Sequence, residues 1–95
     1  MTQDVLSRFL APDGRLTTIP SKHAKLMVVL AHLVQAFELG RTYPEAEVNE
    51  VLNRSHPDHA ALRRYLVEND FLARETGSDT IWYWRSGGTG HLDDV

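Results

Sequence analysis

Two arginines stand side by side in the segment HPDHAALRRYLVENDFL, which runs from His56 to Leu72. An arginine guanidinium is planar and permanently charged, and its N–H groups match a phosphate or the O6/N7 edge of guanine. If the segment is a helix, a step of 100° per residue places His59 and Arg63 on one outward flank and Arg64 farther round. The candidate nucleic-acid-binding residues here are Arg54, His56, His59, Arg63 and Arg64. The alternative is that these charges only solvate the outer side of a core helix.

A second basic cluster lies in the segment SKHAK, where Lys22 and Lys25 fall in the first turn of a predicted helix. Backbone N–H groups and the helix dipole favour anions at such an end. Lysines there oppose the dipole and cost stability unless an anion binds, which makes Lys22 and Lys25 candidate phosphate contacts. The alternative is that they are ordinary solvated lysines.

Some features weigh against nucleic acid. The net charge is −3, so any positive field must be local. Glu45, Glu47 and Glu50 lie on the helix before the arginine pair, where carboxylates would repel phosphates. The predicted hairpin tip, Thr76–Asp79, holds no basic residue.

The last predicted strand, TIWYWR, offers a different kind of surface. Trp82 and Trp84 share one face of it, and Ile81 and Tyr83 share the other. An exposed aromatic face could stack a base or receive a protein partner. The alternative is packing against the N-terminal segment.

Signals for catalysis or bound cofactors are poor. The absence of cysteine excludes disulfides and thiol catalysis. His56 and His59 could form a metal pair, but no third ligand follows at a suitable spacing. The GGTG near the C-terminus lacks the strand and the lysine of a phosphate loop. We therefore expect no enzyme activity, no metal and no cofactor.

The N-terminal half must supply the frame for these residues. Apolar residues from Val5 to Leu10 predict a short helix, and RLTTIP predicts a short strand ending at Pro20. A long helix follows between Ser21 as its cap and Gly40 as its stop. It is apolar almost all round, so we expect it to be central. The alternative is that one side makes a homodimer contact.

The C-terminal half predicts an alternation of short elements. Arg41–Tyr43 is a brief extended link, Pro44 to about Arg54 an amphipathic helix, and the arginine-bearing helix opens at Pro57. Two further strands, Phe71–Glu75 and Thr80–Arg85, form a hairpin. The predicted fold is α+β: a winged helix-turn-helix with an extra N-terminal helix and short strand. We expect one domain over residues 1–85 and a disordered tail over residues 86–95.

The longest apolar run is too short to cross a bilayer, and the N-terminus lacks the positive charge of a signal peptide. We therefore expect a cytoplasmic protein with no membrane partner.

From Phe9 to Arg85 the sequence resembles a bacterial family, domain of unknown function 2087. The matching pieces are DGRL with IPSKHAK, then YPEAEVNEVL, then DHAALRRYLV with FLAR, and finally the aromatic pair YW. The sequence departs from the family where Asp70 replaces the usual glycine, so a left-handed turn there should be strained or carried by Asn69. Members often lie at the C-terminal end of ArsR-like helix-turn-helix regulators, and some stand alone. The resemblance implies a role in or near transcription regulation.

The sequence thus favours a small DNA-binding module, a transcription regulator or an accessory domain of one, with double-stranded DNA as its partner. The alternative is a winged helix that contacts another protein without binding DNA.

Overall fold

The computed structural model describes residues 2–86, and the described chain is an α+β fold of four α-helices and a three-stranded antiparallel sheet. The helices are α1 (Thr2–Phe9), α2 (His23–Leu33, continued by a 3-10 turn over Val34–Ala36), α3 (Glu45–Asn53) and α4 (His59–Glu68). The strands are β1 (Thr42–Pro44), β2 (Leu72–Thr76) and β3 (Ile81–Arg85).

The short strand expected in RLTTIP does not form. Only an isolated bridge between Leu10 and Leu16 is present there. The N–H of Leu16 donates to the carbonyl of Ser55 at 2.8 Å, and the N–H of Thr17 donates to the carbonyl of Phe9 at 2.8 Å. The backbone of this segment bonds to a loop and to the end of α1, so it has no continuous strand partner.

Helix α2 is central, as expected, and it buries Leu26, Val29, Leu30 and Leu33. It ends earlier than expected, because the chain is extended at Phe37, with φ −106° and ψ 135°. The Phe37 ring is buried and meets the Tyr43 ring edge-on, with the centroids 5.1 Å apart.

Neither residue expected to bound α2 does so. Gly40, at φ +83°, lies in the turn that leads to β1 rather than at the end of the helix. At the other end of α2 the capping position is Lys22, not Ser21, and it has no side-chain cap.

The sheet has the strand order β1-β3-β2. Tyr83 at the centre of β3 pairs with Tyr43 of β1 and with Arg74 of β2. The expected antiparallel hairpin and the short strand beside it are therefore confirmed, with each element shifted by about one residue. The element order from α2 to β3 is consistent with a winged helix.

The helices contribute buried apolar side chains to one core, among them Leu30, Leu33, Val48, Leu52, Leu62 and Leu66, and Phe37 belongs to the same core. After α4 the chain turns at Asp70, whose φ of 66° is the only positive value at a non-glycine residue in the described part of the chain. The left-handed turn predicted at this place is thus carried by Asp70 and not by Asn69.

Ser86, expected to begin a disordered tail, is attached to the fold. Its N–H donates to the carbonyl of Phe71 at 3.1 Å and its hydroxyl donates to the carbonyl of Asp70. Residues 87–95 lie outside the described residues. No helix between residues 2 and 86 is both long and apolar enough to cross a membrane.

Candidate nucleic-acid interface

Helix α4 is anchored along one side and open along the other. Asp58 caps it by accepting a hydrogen bond from the N–H of Ala61 at 3.3 Å. Leu62 and Leu66 of its inner side are fully buried in the core. Burial at positions i and i+4 fixes the rotation of the helix about its axis. Of the three side chains between these positions, Arg63 and Arg64 are directed away from the core, whereas the partly buried Tyr65 packs against it.

The open side of α4 and the β2–β3 hairpin enclose a concavity of about 480 Å³. We call it the arginine concavity, and its lining residues are Ala60, Arg63, Arg64, Val67, Glu68, Arg74 and Tyr83. Four of the α4 residues stand at i, i+3, i+4 and i+7, the spacing of one helix face. Three arginines against one glutamate make the lining locally basic in a chain of net charge −3.

Arg63 is held by helix α3. Its Nη1 donates to Oδ1 of Asn49, and its Nε lies 3.8 Å from Oε2 of Glu45. Only 22% of the Arg63 side chain is exposed. The sequence placed Arg63 on an outward flank of the helix, which implied a side chain extended into solvent. In the fold the Arg63 side chain instead lies against α3. The reason is that Glu45 and Asn49, four residues apart on α3, face α4.

The same glutamate connects α3 to the sheet. The buried Tyr83 hydroxyl donates to Oε2 of Glu45 at 2.7 Å. Burial raises the pKa of Tyr83 above its ordinary value of 10.0, and the Glu45 carboxylate raises it further, while Arg74 and Arg63 act in the opposite direction. At neutral pH Tyr83 is a protonated donor, so Glu45 is hydrogen-bonded and close to a cation.

Arg64 and Arg74 are more exposed. The Arg64 side chain is 62% exposed, and its Nε lies 3.9 Å from Oε2 of Glu68. Arg74 lies directly opposite Tyr83 in the β2–β3 register. Sequence reasoning did not select Arg74. Strand alternation was the signal that could have found it, because Arg74 is two residues from the buried Leu72 and shares its face.

Arg54 lies elsewhere. It caps the C-terminal end of α3 and lines a second concavity, of about 500 Å³, together with Arg41 and three glutamates: Glu38, Glu47 and Glu50. Nη2 of Arg41 pairs with Oε2 of Glu47 at 2.7 Å. Arg54 is therefore not brought together with the arginines of α4.

The two candidate histidines flank the start of α4. Nδ1 of His56 accepts a hydrogen bond from the N–H of Asp58 at 3.0 Å. Nδ1 of His59 is buried and has no hydrogen-bond partner within the described part of the protein. Residues 2–86 contain no group of three metal-ligating side chains close enough to hold an ion.

Lys22 and Lys25 line a third, smaller groove of about 260 Å³ between the end of α1 and the start of α2, with Phe9, Ile19 and Pro20 among its other walls. This groove shares no lining residue with the arginine concavity. The lysine pair and the arginine pair are thus two separate basic features.

Trp82 and Trp84 lie on the sheet face opposite the buried Tyr83. Trp82 is 41% exposed, and Trp84 is half-buried. Trp82 stands opposite Pro44 of β1 and Glu75 of β2, and Trp84 stands opposite Thr42 and Ala73. The surroundings of the exposed Trp82 are therefore partly apolar and partly charged.

The molecule is a small α+β domain with a basic concavity between a helix and a hairpin. Residues 15–85 match the family described as an uncharacterized protein conserved in bacteria (DUF2087), and the chain belongs to that family. No curated protein and no solved structure matches the chain.

Proposed function

We propose that the domain is a winged helix that binds double-stranded DNA through α4, as a transcription regulator or an accessory domain of one. In a winged helix the second short helix enters the major groove and the hairpin lies beside it. The order α2, β1, α3, α4, β2, β3 and the pairing of β1 with β3 support this assignment.

The observation that carries the proposal is the arginine concavity. Arg63 and Arg64 occupy the open face of α4, and Arg74 of the hairpin faces them from the opposite wall. A duplex lying against α4 would meet guanidinium groups on both walls. Arginine is the side chain best suited to phosphate and to guanine.

The acidic residues of α3 oppose this function less than their number suggests. Glu45 is hydrogen-bonded by Tyr83 and lies near Arg63, and Glu47 is paired with Arg41. A carboxylate with a cation beside it repels a phosphate less than an isolated carboxylate does, because the two fields partly cancel. Glu50 is exposed on the same helix.

Fluorescence anisotropy of a labelled duplex, measured at several salt concentrations, tests the proposal. Each DNA phosphate that the protein neutralises adds about −0.9 to the slope of log K against log [salt], so binding through the arginine concavity predicts a negative slope. If Arg64 contacts a phosphate, Arg64→Ala should reduce this slope by about one unit. If Arg64 contacts a base, Arg64→Ala should lower the binding free energy by about 1–3 kcal/mol and relax the sequence specificity at that position. Arg8→Ala is the charge-matched control, since Arg8 is exposed on α1, and it should bind like the wild type. Absence of salt-dependent binding at low salt would overturn the proposal.

A second candidate function is contact with a protein partner, including a second copy of the chain. It is favoured by the exposure of Trp82 and of Leu39, which is 64% exposed. Light scattering over a range of concentrations would detect self-association, and Trp82→Ser should abolish it. A monomer at every concentration would exclude the homodimer.

A further inference from the structure

The arginine concavity has the features of a site for a single phosphoryl group. Its two walls carry guanidinium groups that approach from different elements, α4 and β2. Arginine N–H donors match tetrahedral oxyanions, and several converging guanidinium groups can share the three oxygens of one phosphoryl group. Ala60 and Val67 add apolar side chains to the lining, and these form no hydrogen bonds that would compete for the arginines.

Arg63 is already oriented for such a ligand. Its Nη1 donates to Asn49 and its Nε lies 3.8 Å from Glu45, so both hydrogens of Nη2 and the second hydrogen of Nη1 remain able to donate to an anion. Because Asn49 and Glu45 already restrict the Arg63 side chain, binding of an anion would remove less of its conformational entropy. Arg63 thus belongs to a built site rather than to a set of independent surface charges.

Arg64 can join it by giving up two contacts of an exposed side chain, one to Glu68 and one to the Tyr65 ring, whose centroid is 5.2 Å from Cζ of Arg64. Its contact to Glu68 is 3.9 Å long, and the two side chains are 62% and 60% exposed. Exposed pairs of this kind contribute little to stability. An anion in the arginine concavity could therefore draw the Arg64 guanidinium away from Glu68.

Arg74 supplies the opposite wall. It faces Tyr83 across the β2–β3 pair, and the Tyr83 hydroxyl proton is directed to Glu45. The Glu45 carboxylate is thereby engaged by Tyr83 and Arg63, and among residues 2–86 Glu68 is the only carboxylate that lines the arginine concavity. The charge facing the ligand is the sum of three arginines and one glutamate.

From this geometry we infer that Arg63, Arg64 and Arg74 together bind one phosphoryl group. The inference rests on the proposed function for one of its two sources, a backbone phosphate of DNA. The other source is a free phosphate ion or a small phosphate ester. The chemistry recognised is the same, and an experiment can separate the two.

The test is a titration of the full chain with inorganic phosphate, followed by NMR of the arginine Nε–H resonances. We expect saturable shifts at Arg63, Arg64 and Arg74. Sodium chloride at matched ionic strength should not reproduce them. Arg74→Ala should weaken phosphate binding about tenfold, because one charge-assisted hydrogen bond contributes roughly that factor. Arg8→Ala should bind phosphate like the wild type.

A short duplex added to the phosphate-loaded protein distinguishes the sources. Displacement of phosphate with shifts at the same three arginines supports the DNA backbone as the source. Phosphate binding that duplex DNA does not displace supports a free phosphoryl ligand, and the proposed function then fails while the site stands. Duplex binding without shifts at these arginines, or no response to either probe, overturns the site.

Discussion

Replacing Arg63 should cost folding stability, whereas replacing its neighbour Arg64 should not. Arg63 donates to Asn49, lies 3.8 Å from Glu45 and is 22% exposed. A hydrogen bond involving a charged group contributes about 1.5–3 kcal/mol when well buried, and partial exposure lowers this. We therefore expect Arg63→Ala to cost about 1–2 kcal/mol. Arg64 is 62% exposed, so Arg64→Ala should cost less than about 0.5 kcal/mol.

Thermal and urea unfolding, followed by circular dichroism, measure both costs. For a domain of this size 1 kcal/mol corresponds to about 4–8 °C in Tm. Arg63→Ala should thus lower Tm by about 5–10 °C, and Arg64→Ala by less than about 3 °C. A double-mutant cycle with Asn49→Ala isolates the contact. The coupling to Arg63 should be about 0.5–1.5 kcal/mol, and Arg64→Ala with Asn49→Ala should be additive.

Equal small losses for the two arginines, with no coupling between Arg63 and Asn49, would refute this reasoning. Arg63 would then be a solvated side chain, and its orientation in the arginine concavity would have no support from α3.

Three further predictions concern the sheet, the core and the turn after α4. Tyr83→Phe should cost about 1–2 kcal/mol at neutral pH, since Glu45 loses a donor. The pKa of Tyr83 in the folded protein lies above its unfolded value of 10.0. Its contribution to the free energy of unfolding is therefore fully present below pH 10 and is lost as the pH rises through the folded pKa. Urea unfolding from pH 8 upward should thus show a smaller loss of stability for Tyr83→Phe than for the wild type. Leu62→Ala or Leu66→Ala should cost about 2–5 kcal/mol in urea unfolding, and a loss below about 1 kcal/mol would contradict their complete burial. Asp70→Gly should raise stability by about 0.5–1 kcal/mol by removing the strain of φ 66°, and unchanged or lower stability would show that the strain is relieved locally.

Sequence periodicity was sufficient for α3 and α4, because each of these helices has one buried side and apolar residues recur along it. The hairpin was predictable from the polar turn Thr76–Asp79 between two strand-forming segments. Val48 with Leu52, and Leu62 with Leu66, are pairs at i and i+4 that are almost fully buried. The left-handed turn before β2 was also predictable, because Asp70 stands at the position where the family that the sequence resembles usually has glycine.

Periodicity failed where a tertiary contact determined the local structure. Apolar residues continue at helical spacing to Phe37, yet α2 ends at Leu33 because the Phe37 ring packs against Tyr43. The expected strand in RLTTIP failed for a similar reason, since Leu16 bonds to Ser55 of a distant loop. Neither partner is adjacent in sequence, so no local pattern could reveal it.

The largest difference between sequence and structure concerns Glu45. In the sequence it is one of three carboxylates on the helix before α4, and each counts against contact with phosphate. In the fold its Oε2 accepts the Tyr83 hydroxyl at 2.7 Å and lies 3.8 Å from Nε of Arg63. A carboxylate in this position attracts the Arg63 guanidinium and helps to hold its orientation. Its charge does not change, but under the proposed function its position beside Arg63 would make it a positioning residue rather than a repulsive one. Net charge and charge order along the chain cannot distinguish these two roles, because the distinction depends on which side of Arg63 the carboxylate lies.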